Sequence, residues 1–243
     1  MGQCIAVVSG KGGTGKTSFT AGVGAALALS GLRVLCVDCD IGLRNLDIAL
    51  GLSDAALMDF SDVAQQRCTL ERAVVSHPQL AKLSLLTAPI RQRGQPVTGE
   101  QMASLLRAVR IQYDFCLLDA PAGLGDGFLL ATAAADRCVV VTTADASSLR
   151  DAQHTVMELG RFGPGKLHLV VNRVRKKLLR SMHATIDDAM DKAGLPLLGV
   201  VPEDDALPLA LNRGSPILLS APASPASSAY RNIATRLRGG KAP

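Results

Sequence analysis

The chain has 243 residues, of which 48% are hydrophobic and 19% charged, with a net charge of +5 and no tryptophan. That length and apolar content suffice to bury a core in one α/β domain, and the mild basic excess permits contact with nucleic acid or anionic lipid without requiring it. Aromatic residues at 3% argue against the stacking platforms of single-strand nucleic-acid binders, and no stretch reads as a secretory leader or a membrane span.

The first run, Cys4 to Val8, is short, apolar and rich in β-branched residues, which suits a buried parallel strand. It leads into Gly10-Lys11-Gly12-Gly13-Thr14-Gly15-Lys16-Thr17, which fits the phosphate-cradling pattern G-x-x-x-x-G-K-[ST] with an additional lysine near its start. Glycines there let successive N–H groups turn toward phosphate oxygens while the following helix, Thr17 to Ser30, aims its positive end at them. Lys16 is then the cation for the β- and γ-phosphates, and the Thr17 hydroxyl a ligand for phosphate-bound Mg²⁺. Gly10 through Ser18 form the candidate loop for the nucleotide, and Gly31 ends the helix.

Further apolar runs follow at Val34–Val37, Leu83–Leu86, Phe115–Leu118, Cys138–Val141, Leu167–Val171 and Leu197–Val201, separated mostly by helix-length segments. The alternation predicts a doubly wound, mostly parallel sheet with helices on both faces, the P-loop NTPase arrangement, in a single domain over residues 1–243. Its nucleotide core covers about residues 3–220, with a terminal helix at about 224–238. Ligands on such sheets bind at the carboxyl ends of the strands. Asp38 and Asp40 lie there, spaced to share one side of an extended strand end, suited to orienting water or a metal-bound water, or else to capping a turn. Asp119 ends an aliphatic run at the Walker B position, where it would bond the Mg²⁺ shell. Asp38, Asp40, Asp119 and Gly123 form the candidate switch, with a mobile N–H at Gly123 reporting the γ-phosphate.

These residues resemble the deviant Walker A ATPases, the MinD/ParA family, over nearly the whole chain. Within it, Asp40-Ile41-Gly42-Leu43-Arg44-Asn45-Leu46-Asp47 and Asp119-Ala120-Pro121-Ala122-Gly123 look most like the MinD type that regulates division-site placement. Thr142 to Asp151 is also similar, although that type usually has Pro-Glu where this chain has Ala144-Asp145. The resemblance implies a cytoplasmic ATPase that hydrolyses ATP to ADP and phosphate, binds Mg²⁺, and closes into a homodimer around ATP. Lys11 of each subunit would reach the other's phosphates and Asp40 would orient water, making Lys11, Lys16 and Asp40 the catalytic set and Thr17, Asp38 and Asp119 the metal set. Asn172 would meet adenine; Arg173 flanks it, and Pro202 and Glu203 would give backbone contacts to the base. A division inhibitor and an activator would bind through Arg44, Asn45 and the helix start from Ser148 to Asp151.

The resemblance also carries departures and rivals. MinD-type chains attach peripherally to the inner face of the cell membrane through an amphipathic tail rich in Lys, Phe and Leu. Here Tyr230, Ile233, Ala234 and Leu237 read instead as the final core helix, so weak or absent autonomous membrane binding is expected. Arg173, Arg175, Lys176, Lys177 and Arg180 cluster before a helix expected from Leu178 to Lys192. They read either as a solvated face or as the phosphate-backbone contact of ParA-type partition ATPases that bind DNA non-specifically. A flagellar-number regulator of the FlhG type is a further alternative. Iron–sulfur carriers of this fold need cysteines at the dimer face, whereas Cys116 and Cys138 lie within strands, and Cys36 and Cys39 should point to opposite faces of theirs.

Overall fold

The computed structural model describes residues 1–53, 55–92, 94–175, 177, 181 and 185–241. Among them, eight strands form one sheet: β1 (Gln3–Val8), β2 (Val34–Asp38), β3 (Val75–Ser76), β4 (Leu83–Leu86), β5 (Phe115–Asp119), β6 (Arg137–Thr143), β7 (Leu167–Val174) and β8 (Leu197–Pro202). Their order is β3-β4-β2-β5-β1-β6-β7-β8, and every pairing is parallel except the short antiparallel β3 against β4. All seven apolar runs of the sequence are strands of this sheet; β3 is the addition.

The alternation along β1 divides the core into two layers. Ile5 and Val7 face α1 (Lys16–Leu29), α2 (Leu46–Leu50), α9 (Ala206–Asn212), α10 (Ile217–Ser220) and α11 (Pro225–Leu237). Cys4, Ala6 and Val8 face α3 (Phe60–Ala64), α4 (Leu70–Ala73), α5 (Gly99–Gln112), α6 (Asp126–Thr132), α7 (Ala146–Glu158) and α8 (Ile186–Ala193). Cys36 belongs to the first layer and Cys39 to the second, so the C-x-x-C spans the sheet and cannot close on itself. Cys4, Cys116 and Cys138 are buried too, and the six cysteines are free thiols.

Of the helix expected from Leu178 to Lys192, the described part is α8. Its Thr185 cap forms a reciprocal box with Asp188; Lys176 and residues 178–180 and 182–184, including Arg180, lie outside the described residues. The terminal helix is α11, capped by Ser224 with Pro225 in its first turn. Tyr230, Ile233, Ala234 and Leu237 are all buried against the sheet and α1, so the apolar face of α11 is spent on the core. Gly22 of α1 makes this packing possible: a Cβ there would lie 2.4 Å from the Tyr230 ring.

Candidate nucleotide site

The nucleotide loop is built where β1 ends at the centre of the sheet. Gly13 and Gly15 take φ values of +79° and +87°, the left-handed region glycine enters without strain. Gly10 is pressed onto α7, where a Cβ would come within 2.5 Å of the Asp151 carbonyl oxygen. Ser9, which the glycine-lysine pattern leaves out, organises the loop from beneath. Its hydroxyl donates to the Lys11 carbonyl at 2.7 Å and accepts from Lys16 Nζ at 2.8 Å, while its carbonyl accepts the Gly123 N–H at 3.2 Å. Gly123, at φ +86°, thus ties the candidate switch loop to the root of the phosphate loop.

Topology places β5 between β1 and β2, and Asp119 and Asp38 are register neighbours. Thr17 Oγ1 donates to Asp119 Oδ2 at 2.6 Å and Thr20 Oγ1 to Oδ1 at 3.2 Å. Burial raises the Asp119 carboxyl to about 7 despite the Thr17 and Thr20 hydroxyls and the Lys16 charge, with Asp38 adding to the rise. Burial likewise lowers Lys16, opposed by Asp119 and Asp40. Thr17 and Asp119 present adjoining hard oxygens facing the loop, a donor set suited to Mg²⁺ with phosphate and water completing its shell.

Asp38 turns out to be committed elsewhere. Its Oδ1 accepts the Asp40 N–H at 2.8 Å and its Oδ2 the Leu46 N–H at 3.1 Å, so the carboxylate fastens both ends of the Asp40–Asn45 loop. Burial raises it to about 6 against those two bonds. Asp40 is half-buried on the cleft wall, its carboxyl raised by burial and drawn down by Lys16.

The cleft has a volume of about 600 Å³, with Lys16, Thr17, Ser18 and Asp40 toward the phosphate side and Leu207, Pro208 and Leu211 opposite. Asn172, buried at the end of β7, donates through Nδ2 to the Thr14 carbonyl at 2.7 Å, leaving its Oδ1 without a partner among the described residues. An orphaned buried acceptor on the wall of such a cleft is a ready seat for an exocyclic amine. Arg173, held at φ +55°, is paired to Glu203 at 3.0 Å and reaches the Gly13 carbonyl at 3.3 Å; Arg175 also meets Glu203, at 3.5 Å. Two described members of the basic cluster are therefore drawn to the cleft rim, not spread as a free cationic face. Pro202 ends β8 beside them, and Glu203 follows it.

Lys11 points out of the cleft. Its ammonium donates to Ser147 Oγ at 2.9 Å and lies 3.4 Å from Asp145 Oδ1, at the start of α7. Asp145 caps that helix, and although burial would raise it, bonds from Thr143 and Ser148 and the charge of Lys11 hold its carboxyl well below the usual range. The expected partner surface needs correction here. Ser148 is 2% exposed, its hydroxyl enclosed between Asp145 and Thr143, so it supports the cap instead of facing solvent. Asp151 is half-buried behind Gly10, and Arg44 is largely covered, in an ion pair with Asp47 at 3.2 Å. Asn45 lines the cleft.

Comparison with known proteins agrees with this geometry. Residues 5–217 match the model of the CobQ/CobB/MinD/ParA nucleotide binding domain. The chain is 37% identical over 244 residues to the septum site-determining protein MinD of Synechocystis sp., spanning all of this chain and 92% of that protein. To MinD of Bacillus subtilis it is 39% identical over 249 residues, spanning all of this chain and 91% of the relative. Among solved structures, the MinC:MinD cell division protein complex of Aquifex aeolicus superposes with a TM-score of 0.90 at 34% identity, covering 99% of this chain and 97% of that one. MinD of Pyrococcus horikoshii complexed with Mg-ADP gives 0.83 at 29% identity, covering 98% and 96%.

Proposed function

This chain belongs to the MinD septum site-determining ATPases of the CobQ/CobB/MinD/ParA nucleotide-binding family, and on that premise we propose that it is a Mg²⁺-dependent ATPase that dimerises around ATP to regulate division-site placement. The observation that carries the reading is the junction of Lys16, Thr17 and Asp119 at the root of a glycine loop whose second lysine, Lys11, faces away from its own cleft.

The loop amides and Lys16 would hold the β- and γ-phosphates, with the Asn172 acceptor oriented toward an adenine amine. Thr17 and Asp119 would hold Mg²⁺, which when bound neutralises phosphate charge. Asp40 would orient the attacking water at the γ-phosphorus, and the bond from that phosphorus to the β-γ bridging oxygen breaks to leave ADP and phosphate. Asp38 would fix Asp40 through the amide bond it already makes. Lys11, released from Asp145 and Ser147, would cross to the second subunit's phosphates, so hydrolysis waits on dimerisation. Min-type inhibitor and activator proteins are the proposed partners, docking beside Asn45. With the apolar face of α11 committed to the core, that helix itself would not insert in a membrane.

The test is size exclusion of the Asp40→Ala protein with ATP and with ADP. A dimer with ATP alone is expected. A protein that binds ATP yet stays monomeric refutes the sandwich.

A further inference from the structure

The base side of the cleft is fastened to the rest of the molecule by a carboxylate outside the loop motifs. Asp204 follows Glu203 and lines the cleft beside Leu207 and Pro208. Its Oδ1 accepts the Ala206 N–H at 3.0 Å, at the start of α9, and its Oδ2 accepts the Ala226 N–H at 3.0 Å, in the first turn of α11. Burial pushes Asp204 up, but the two amides and the Ser224 hydroxyl outweigh it and hold the carboxyl below its usual range. Ser224 in turn accepts the Ser227 N–H at 3.1 Å as the cap of α11. One carboxylate thus serves the starts of two helices from separate parts of the chain.

A second tie joins α11 to the phosphate side. Tyr230 is fully buried, sits edge-on to Phe19 with ring centroids 6.2 Å apart, and fills the notch left by Gly22. Both contacts lie on α1, whose first turn carries Lys16 and Thr17. The Tyr230 hydroxyl has no hydrogen-bond partner among the described residues, so its ring does the packing and its oxygen contributes no bond.

We propose that Asp204 is a positioning residue for nucleotide binding, tying the base side of the cleft to the first turn of α11 so that filling the cleft stiffens that helix. The inference rests on the reading of the cleft as an ATP site. It assigns α11 a place in the nucleotide response that no loop motif announces.

The test is hydrogen exchange of the full chain with and without Mg-ATP, alongside ATP affinity and turnover, for the native protein, Asp204→Asn and Tyr230→Phe. In the native protein, nucleotide should slow exchange of the amides from Ala226 to Arg231 several-fold. Asparagine keeps one acceptor and turns an N–H₂ toward a donor. Asp204→Asn should therefore lose that slowing and raise KM about tenfold, with kcat within about twofold. Tyr230→Phe should keep the slowing. Native-like slowing in Asp204→Asn, or a loss confined to kcat, overturns the proposal. If Asp204→Asn does not fold, Ser224→Ala, which removes one of the three bonds along with the Ser227 cap and keeps the carboxylate, must weaken the slowing at Ala226, and an unchanged response there overturns it equally. A native protein that binds no ATP fails the ATP reading itself, and the inference falls with it.

Discussion

Replacing Asp119 with asparagine separates two things its carboxylate does: it holds a buried negative charge and it faces the proposed metal position. Its carboxyl is raised from 3.8 to about 7, with burial the first cause. Below about pH 4 the folded and unfolded chains both hold this proton and the difference vanishes. Between there and pH 7 the unfolded chain gives it up while the folded chain keeps it, so stability falls as pH rises. Above pH 7 the whole difference is lost, about 4 kcal/mol at ~1.4 kcal/mol per pH unit. Asparagine removes that cost but weakens the bonds from Thr17 and Thr20 and strips Lys16 of the stronger of its two opposing charges. About 2 kcal/mol of stabilisation should survive in the nucleotide-free protein at pH 8, a rise in Tm of roughly 4–8 °C, shrinking to nothing near pH 5. Calorimetric melts of both proteins from pH 5 to 8.5 measure it. A variant that melts below the native protein at pH 8, by a margin indifferent to pH, would refute the assignment of an electrostatic strain to this carboxylate. The native protein should also gain more Tm from Mg-ADP at pH 8 than at pH 6, and the variant should not.

Lys16→Ala should lose both nucleotide binding and the ATP-dependent dimer, whereas Lys11→Ala should bind nucleotide and fail to hydrolyse it; calorimetry and phosphate release separate the two. Asn172→Ala removes the bond to the Thr14 carbonyl and the orphaned acceptor together, and should weaken ATP by about tenfold in equilibrium binding. Gly22→Ala drives a methyl into the Tyr230 ring and should lower stability by about 1–3 kcal/mol in urea melts, with part restored by Tyr230→Leu.

The strands are legible in the sequence because a parallel sheet covered on both faces needs continuous apolar runs, as in Cys138–Val141. β3 is not, since two residues, Val75 and Ser76, carry no period and take their strand character from pairing with β4. The glycine loop announces Lys16 and Thr17 by spacing alone. Ser9 does not, because its partners, Lys16 and Gly123, reach it only through the turn of the loop and the neighbouring strand. Asp38 and Asp40 read as a matched pair by their spacing, yet the amides of Asp40 and Leu46 occupy Asp38, an outcome of how the chain turns back after β2. Ser148 looks like an exposed helix start until Asp145 and Thr143 close over it. That closure is local, since Asp145 and Ser148 lie three residues apart, and the spacing of an N-cap aspartate from its N3 residue was the signal that could have found it.

The packing of α11 on α1 also orders events in time. Residues 16–29 and 225–237 share one apolar layer, so the helix that leaves the nucleotide loop cannot complete its surroundings until the segment about two hundred residues further on has been made. A chain emerging from its amino end can build the layer around α5 and α7 first, while Phe19 still lacks its contact with Tyr230. The long sequence separation of that last contact makes it slow to form, and the uncovered face is the part of a nascent chain that a chaperone would hold.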